Sequence, residues 1–456
     1  MRKISRILIA NRGEIALRII RTCKVLGIES VLAVSEADKE SLPAKIANRV
    51  VCIGPAQPTN SYLKVETILS AALGTSSDAI HPGYGFLSER PELAEGCAKH
   101  GLIFIGPKPE NIKDMGNKLL ARKMVRAFGV PTVPGSEQVD NVKQAIDVAK
   151  QIGFPLLLKA PQGGGGKGMK LVRNLDELKT AFETALAEVR FAFGDEALYI
   201  EHYLSNIRHI EVQILADNFG NVIHLGERDC SLQRRYQKII EESPASSVPK
   251  DITEAICQAA VTIAKNAQYN SAGTVEFIFD KDNNKFYFLE MNTRIQVEHP
   301  VTEMVSGIDL VAEQIQVAAD RPLNISQADV KLRGHAIECR INAEDPKKNF
   351  QPCPGRIMSW LPPLGQGIRV DTHCYSGYFV PPYYDSLLAK LITFGIDRSD
   401  TIERMQRALG GFLITGIETS VPFLNFLINS PDYVKGKVNT RWVEEMAGRF
   451  AVSQTV

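Results

Sequence analysis

Glu276 and Glu290 stand in two short runs of alternating character, 274–279 and 286–292, separated by the turn residues Asp280-Lys281-Asp282-Asn283-Asn284. The pattern predicts a hairpin that sets the two carboxylates across from each other. Asn292 falls on the face of Glu290, because strand side chains repeat with period two. Two carboxylates and an amide oxygen crowded together repel unless a hard cation sits between them. Mg²⁺ on oxygen ligands beside substrate phosphates is the natural occupant. Two solvent-facing glutamates on an ordinary hairpin are the bland alternative. The next residues, Asn292-Thr293-Arg294-Ile295-Gln296-Val297-Glu298-His299-Pro300, pack amide, guanidinium and carboxylate groups closely together. Pro300 argues against a continuing helix or central strand, so a polar loop is expected. Such a loop can grip a small anion with Arg294 and deprotonate it with Glu298; a merely solvated loop is the alternative.

A second concentration of chemistry is Lys159-Ala160-Pro161-Gln162-Gly163-Gly164-Gly165-Gly166-Lys167-Gly168-Met169. A Walker A loop needs Gly where Pro161 stands and Ser or Thr where Gly168 stands, so that motif fails. The flanks read as two strands, and glycines at a hairpin tip let backbone N–H groups approach an anion closely. Lys159 and Lys167 add positive charge there; a flexible surface turn is the alternative. In 209–214 the polar face of a strand is His209, Glu211 and Gln213. Downstream, Arg228, Arg234, Arg235 and Lys238 could complement phosphates or pair with Glu241 and Glu242.

These groups need a frame. Residues 7–10, 30–34, 79–80 and 102–105 read as buried strands, with a helix over 13–25 stopped at Gly27, which predicts a parallel sheet of βα units. The first βα turn, Asn11-Arg12-Gly13-Glu14, lacks G-x-G-x-x-G, so a dinucleotide site is not expected. A helix is expected over 113–128, followed by a hinge at Pro131, Pro134 and Gly135. Hairpins take over from about 156, and a region rich in Gly, Pro and Tyr begins near 333. Three domains are therefore expected at 1–115, 116–332 and 333–456. The chain of 456 residues carries 53 Lys plus Arg against 52 Asp plus Glu, and this balance argues against a nucleic-acid or membrane-surface partner. Eight cysteines without a C-x-x-C pair fit a reducing compartment. No apolar run approaches the ~20 residues needed to cross a bilayer, so a cytoplasmic protein is expected.

Three segments carry a resemblance. His81-Pro82-Gly83-Tyr84-Gly85-Phe86-Leu87-Ser88-Glu89, the 290–299 stretch and Glu338-Cys339-Arg340-Ile341-Asn342-Ala343-Glu344 resemble the biotin carboxylase family of ATP-grasp ligases. The likeness runs from Ile9 to Ser386. It implies α/β and α+β architecture: a Rossmann-like N-terminal domain, an ATP-grasp domain with a glycine-rich lid about 134–204, and a C-terminal biotin carboxylase domain. It implies that Lys118 and Lys159 contact ATP phosphates under the 163–168 loop, including Gly165 and Gly166. Glu201, His202, Tyr203 and Leu204 would line the adenine pocket, with His209 and Gln233 near the ribose. Glu276, Glu290 and Asn292 would hold Mg²⁺, or Mn²⁺ in its place. Lys238, Arg294, Gln296 and Val297 would bind bicarbonate, Glu298 would be its base, and Arg340 and Tyr84 would face biotin. Tyr236 stands where many members carry a nucleotide-contacting histidine, and Gln162 replaces a common glycine.

The implied reaction is ATP- and bicarbonate-dependent carboxylation of biotin through carboxyphosphate. Nothing resembles a Met-Lys-Met biotinyl-lysine motif, so biotin is expected on a separate carrier. A homodimer and a partner carboxyltransferase subunit are further expectations. Other ATP-grasp ligases, such as carbamoyl phosphate synthetases, share the grasp but not the 294–298 and 338–344 stretches. A non-catalytic nucleotide-binding module would be expected to lack some of Lys118, Lys159, Lys238, Glu276, Glu290 and Glu298.

Overall fold

The computed structural model describes residues 2–161, 169–193 and 197–453. Among these residues the strands form three main sheets. The first is parallel, in the order β3-β2-β1-β4-β5, from β1 (Arg6–Ile9), β2 (Glu29–Val34), β3 (Arg49–Cys52), β4 (Ala79–His81) and β5 (Ile103–Phe104). Its central strand buries Ile7, Leu8 and Ile9 completely, as a strand covered on both faces must. The helix Gly13–Val25 has the expected bounds. Gly13 opens it at φ +68°, and Gly27 ends it at φ +69°, conformations that cost glycine no Cβ clash.

The helix expected over 113–128 is two helices, Pro109–Gly116 and Lys118–Ala127. Asn117 leaves helical geometry between them, and its side chain accepts the Leu120 N–H as an N-cap. A cap of this kind competes well with continuation of the helix, which is why the periodic pattern concealed the break. It also places Lys118 at a helix N-terminus.

A four-stranded sheet follows in the order β6-β9-β7-β8, from β6 (Gly135–Val139), β7 (Leu156–Lys159), β8 (Met169–Val172) and β9 (Leu198–His202). β7 and β8 pair antiparallel with Lys159 opposite Met169, the hairpin expected around the glycine run. That run, with Gly165 and Gly166, lies outside the described residues.

The third sheet has eight strands in the order β14-β13-β10-β11-β12-β15-β22-β20. It contains β10 (Ile207–Ala216), β11 (Val222–Arg234), β12 (Gln237–Ser243), β13 (Ser271–Asp280), β14 (Lys285–Asn292) and β15 (His335–Asn342). Short antiparallel pairs join β16 (Glu344–Asp345) to β17 (Gln351–Pro352), β18 (Gly355–Arg356) to β21 (Phe379–Val380), and β19 (Ser359–Leu361) to β23 (Leu413–Thr415). β20 (Ile368–Thr372) and β22 (Leu387–Gly395) complete the large sheet. β12 pairs with β15, so strands on either side of residue 333 belong to one continuous sheet. Helix Lys250–Asn266 buries Ile256, Ala260 and Ile263 in the same core as Ile210, Val212 and Phe277 of this sheet.

Candidate active site

The hairpin β13–β14 places Glu276 directly opposite Glu290 and Thr274 opposite Asn292. The register shifts just beyond the glutamates, where Phe277 pairs with Phe288, so one extra residue of β14 is bulged there. Core residues lie on both sides of the bulge, Val275 and Met291 on one and Phe277 and Phe288 on the other. A cleft of about 750 Å³ is lined by every described residue expected at the site, from Tyr84 and Lys118 to Arg340.

One wall comes from the four-stranded sheet. Lys159 at the end of β7 and Glu201 on β9 are ion-paired, and Arg122 reaches the other oxygen of Glu201. His202, Tyr203 and Leu204 continue this wall. Lys118 faces it and binds the Glu290 carboxylate at 3.1 Å. At the cleft mouth Tyr236 sits on the β11–β12 turn with φ +63°, 61% exposed. The Arg235 N–H beside it donates to Glu444 at 2.7 Å.

The floor is a buried ionic lattice on the eight-stranded sheet. Lys238 Nζ donates to Glu276 at 3.0 Å, to Glu298 at 2.6 Å, and to Glu211. Arg340 donates through Nε to Glu241 at 2.6 Å and through Nη2 to Glu298 at 2.8 Å. The two oxygens of Glu298 are therefore divided between two cations. His209 Nε2 lies 2.7 Å from Glu276, and Gln233 contacts the other ring nitrogen at 2.9 Å. Asn292 and Gln296 each donate to Glu276, at 2.9 and 2.7 Å. Arg294 donates to Asn292 Oδ1 at 3.0 Å and to Glu89 at 2.8 Å. Glu276 and Arg294 are thus one amide apart.

The lattice sets the protonation states. Burial works against the ionised form of Glu298, but Lys238 and then Arg340 outweigh it and hold the carboxyl well below its ordinary range. Glu276 is likewise depressed: burial is overcome by Lys238 and His209. Burial would discharge Lys238 too, yet Glu211, Glu276 and Glu298 hold it strongly protonated. Glu241 goes the other way. Its burial dominates, Arg340 opposes, nearby Glu298 adds repulsion, and its pKa is pushed up to about 7.

One of the two readings offered for the cations of β11 and β12 falls. Arg228 and Lys238 pair with neither Glu241 nor Glu242; Arg228 is fully buried and binds Glu211, Gln213, Thr302, Thr274 and Gln296. Glu241 belongs to Arg340, and Glu242 to Arg398 and His335. Cross-strand register decides these partners, and a linear reading does not contain it. The polar loop expected after Asn292 spans 293–298, and Pro300 falls in the first turn of the next helix, His299–Ser306, where a missing N–H costs nothing.

Glu89, Glu211 and Glu241 position the expected residues without having been assigned a role. Glu211 was visible on the polar face of its strand; Glu89 closes a resembling segment and Glu241 was a candidate ion-pair partner, but nothing local pointed them to Arg294 and Arg340. The donor set Glu276, Glu290 and Asn292 is all oxygen and suits a hard cation, with the Glu290 carboxylate reaching the cleft and balanced by Lys118. His209, Glu211 and Glu276 also bring ligand atoms within 4.8 Å of one another, but the Lys238 ammonium already bonds both carboxylates.

Known proteins resemble this chain along its length. Family models match in three places: "Biotin carboxylase, N-terminal domain" over 3–112, "Carbamoyl-phosphate synthase L chain, ATP binding domain" over 117–326, and "Biotin carboxylase C-terminal domain" over 338–445. Biotin carboxylase 1 of Bacillus subtilis is 52% identical over 442 residues, covering 97% of this chain and 98% of the relative. A pyruvate carboxylase subunit from Methanothermobacter thermautotrophicus is 48% identical, covering 97% and 90%. The biotin carboxylase–β,γ-ATP complex from Campylobacter jejuni superposes with TM-score 0.94 at 48% identity, covering 97% and 99%. The biotin carboxylase domain dimer of Hydrogenobacter thermophilus 2-oxoglutarate carboxylase, solved with MgADP, ADP and bicarbonate, gives 0.93 at 46% identity, covering 98% of each chain.

Proposed function

The chain belongs to the biotin carboxylase family, and from that premise we propose how its residues divide the work of the reaction. It is a ligase that carboxylates biotin with bicarbonate at the expense of ATP, as part of a biotin-dependent carboxylase, and ATP and Mg²⁺ serve the reaction. The domains we assign are 1–115, 116–332 and 333–456, with the lid about 134–204.

Lys118 and Lys159 take the phosphates of ATP, a role that Gly165 and Gly166 share in our assignment. Glu201, His202, Tyr203 and Leu204 form the adenine side, with His209, Gln233 and Tyr236 toward the ribose. Glu276, Glu290 and Asn292 would hold Mg²⁺, or Mn²⁺, which supplies charge neutralisation along the phosphates. Lys238, Arg294, Gln296 and the backbone of Val297 bind bicarbonate. Glu298 takes its proton, so that a bicarbonate oxygen attacks the γ-phosphorus, the bond to the β-phosphate oxygen breaks, and ADP and carboxyphosphate result. Carboxyphosphate then yields CO₂ and phosphate beside biotin, the phosphate takes the ureido N–H proton, and that nitrogen bonds to the carbon of CO₂. Arg340 stabilises the enolate oxygen of the deprotonated ureido group, with Tyr84 near the ring.

The observation that carries this division is Glu298 itself. Lys238 at 2.6 Å and Arg340 at 2.8 Å hold it ionised in the cleft. A carboxylate held ionised beside the cations that would grip bicarbonate is placed to accept its proton, and a bound anion that draws those cations away makes it a stronger base.

Relatives named for pyruvate and for 2-oxoglutarate carboxylation match at 48% and 46% identity, which supports an acceptor chosen by a separate carboxyltransferase subunit. Biotin would arrive on a carrier protein or domain, and the Hydrogenobacter dimer supports a homodimer. No helix among the described residues is long and apolar enough to cross a membrane. We assign the enzyme to the cytoplasm, with neither a membrane nor a nucleic-acid partner. ADP release should require Mg²⁺ and bicarbonate and rise with free biotin. Release indifferent to both bicarbonate and biotin would reject the assignment.

A further inference from the structure

Lys390, on β22, lies outside the cleft lining and has a fully buried side chain. It stands opposite Arg340 of β15 on one side and Asp371 of β20 on the other. Its ammonium donates to the backbone carbonyl of Val297 at 2.9 Å and pairs with Glu14 at 3.1 Å. Asp371, 4.0 Å away, is already neutralised by both arms of Arg369. Glu14 lies in the first turn of helix Gly13–Val25, and the same carboxylate oxygen accepts the Tyr84 hydroxyl.

One buried cation therefore joins three distant parts of the chain. It fixes the peptide plane immediately before Glu298, and through Glu14 it reaches the Tyr84 ring. Burying an ammonium is costly unless it is paired and hydrogen-bonded, and here one carbonyl and one carboxylate take two of its three protons while Asp371 lies 4.0 Å away. We propose that Lys390 is a positioning residue: it holds the Val297 carbonyl so that the anion loop keeps its geometry, and it ties that loop to Tyr84 through Glu14. The inference rests on the assignment of 294–298 to bicarbonate. Lys390 touches no reacting atom, so its effect must appear in the binding of one substrate and in the coupling between two.

The test uses three variants of the full chain: Lys390→Met, Glu14→Gln and the double variant. Lys390→Met leaves a buried carboxylate without its cation and can fail to fold, whereas the double variant contains neither charge and keeps an acceptor for Tyr84. The double variant should raise the bicarbonate KM roughly tenfold, the scale of one lost charge-assisted hydrogen bond. Its ATP KM should stay within about twofold, because Lys390 makes no contact with Lys118 or Lys159. The stimulation of ADP release by free biotin should shrink, because Tyr84 is no longer tied to the loop. If Lys390 only balances the charge of Glu14, removing both charges restores the wild-type bicarbonate KM and biotin stimulation, and the inference is wrong. A parallel rise in both KM values would also overturn it. Wild-type ADP release that ignores bicarbonate would instead remove the assignment on which the inference stands.

Discussion

Replacing Glu298 by Gln isolates the proton-accepting step, because the surrounding lattice tolerates the change. The variant loses the charge at the ends of two contacts, 2.6 Å to Lys238 and 2.8 Å to Arg340. Hydrogen bonds to charged groups contribute about 1.5–3 kcal/mol each, and the amide oxygen can still accept from one partner. The stability cost is therefore on the order of 2–4 kcal/mol. Neither cation is orphaned: Lys238 keeps Glu211 and Glu276, and Arg340 keeps Glu241. Turnover should fall by about 10²–10⁴, the usual worth of a general base, equivalent to roughly 3–5 kcal/mol of barrier. Glu298→Asp keeps the charge but is one methylene too short to span both cations, so its rate should lie between the two. Titration calorimetry with MgADP should return an affinity within about threefold of wild type, since Lys118 and Lys159 pair with Glu290 and Glu201 instead. Coupled measurement of bicarbonate-dependent ADP release supplies the rate. Turnover of Glu298→Gln within about tenfold of wild type would remove Glu298 from the base role. A matching loss of MgADP affinity would show that the variant had damaged the whole cleft.

Glu290→Gln should raise the Mg²⁺ concentration for half-maximal ADP release about tenfold while the bicarbonate KM moves little; an unaltered metal dependence would exclude Glu290 as a ligand. Tyr236→Phe should change stability by less than about 0.5 kcal/mol, since the ring is 61% exposed, and thermal melts check this directly. Glu276 and Glu298 titrate below the ordinary 4.5 in the folded chain, so the folded state binds fewer protons than the unfolded one through the acid range. The stability they contribute is complete above that value and drains away as pH falls beneath it. Denaturation midpoints measured from pH 7 downward should follow this course less steeply in Glu298→Gln, and an identical slope would count against the ion pairs.

Short-range pattern carried much of the architecture. Alternation placed β13 and β14 and set Glu276 against Glu290, because a two-residue period leaves little freedom of register once one face is apolar. The bounds of helix Gly13–Val25 followed from glycines that only left-handed geometry explains. The break at Asn117 was hidden, since capping and continuation share the same apolar spacing. Partners of the site residues were hidden more deeply. Glu89 grips Arg294 from 205 positions away, and Glu14 meets Lys390 from the opposite end of the chain. No periodicity encodes such meetings; they arise only when separate sheets are brought together.

The pairing of β12 with β15 has a mechanical corollary. Lys238, Glu276 and Arg340 are stitched by backbone ladders into one plate, and the spacing of their strands cannot alter without breaking several backbone hydrogen bonds of that plate at once. Lys159 and Glu201 ride on a different raft, whose strands, among the described residues, share no ladder with it. The chain passes between raft and plate near 131–134 and 203–206, so a displacement of the raft as a whole would change the gap between phosphate-side and carbonate-side groups while leaving both ladders intact.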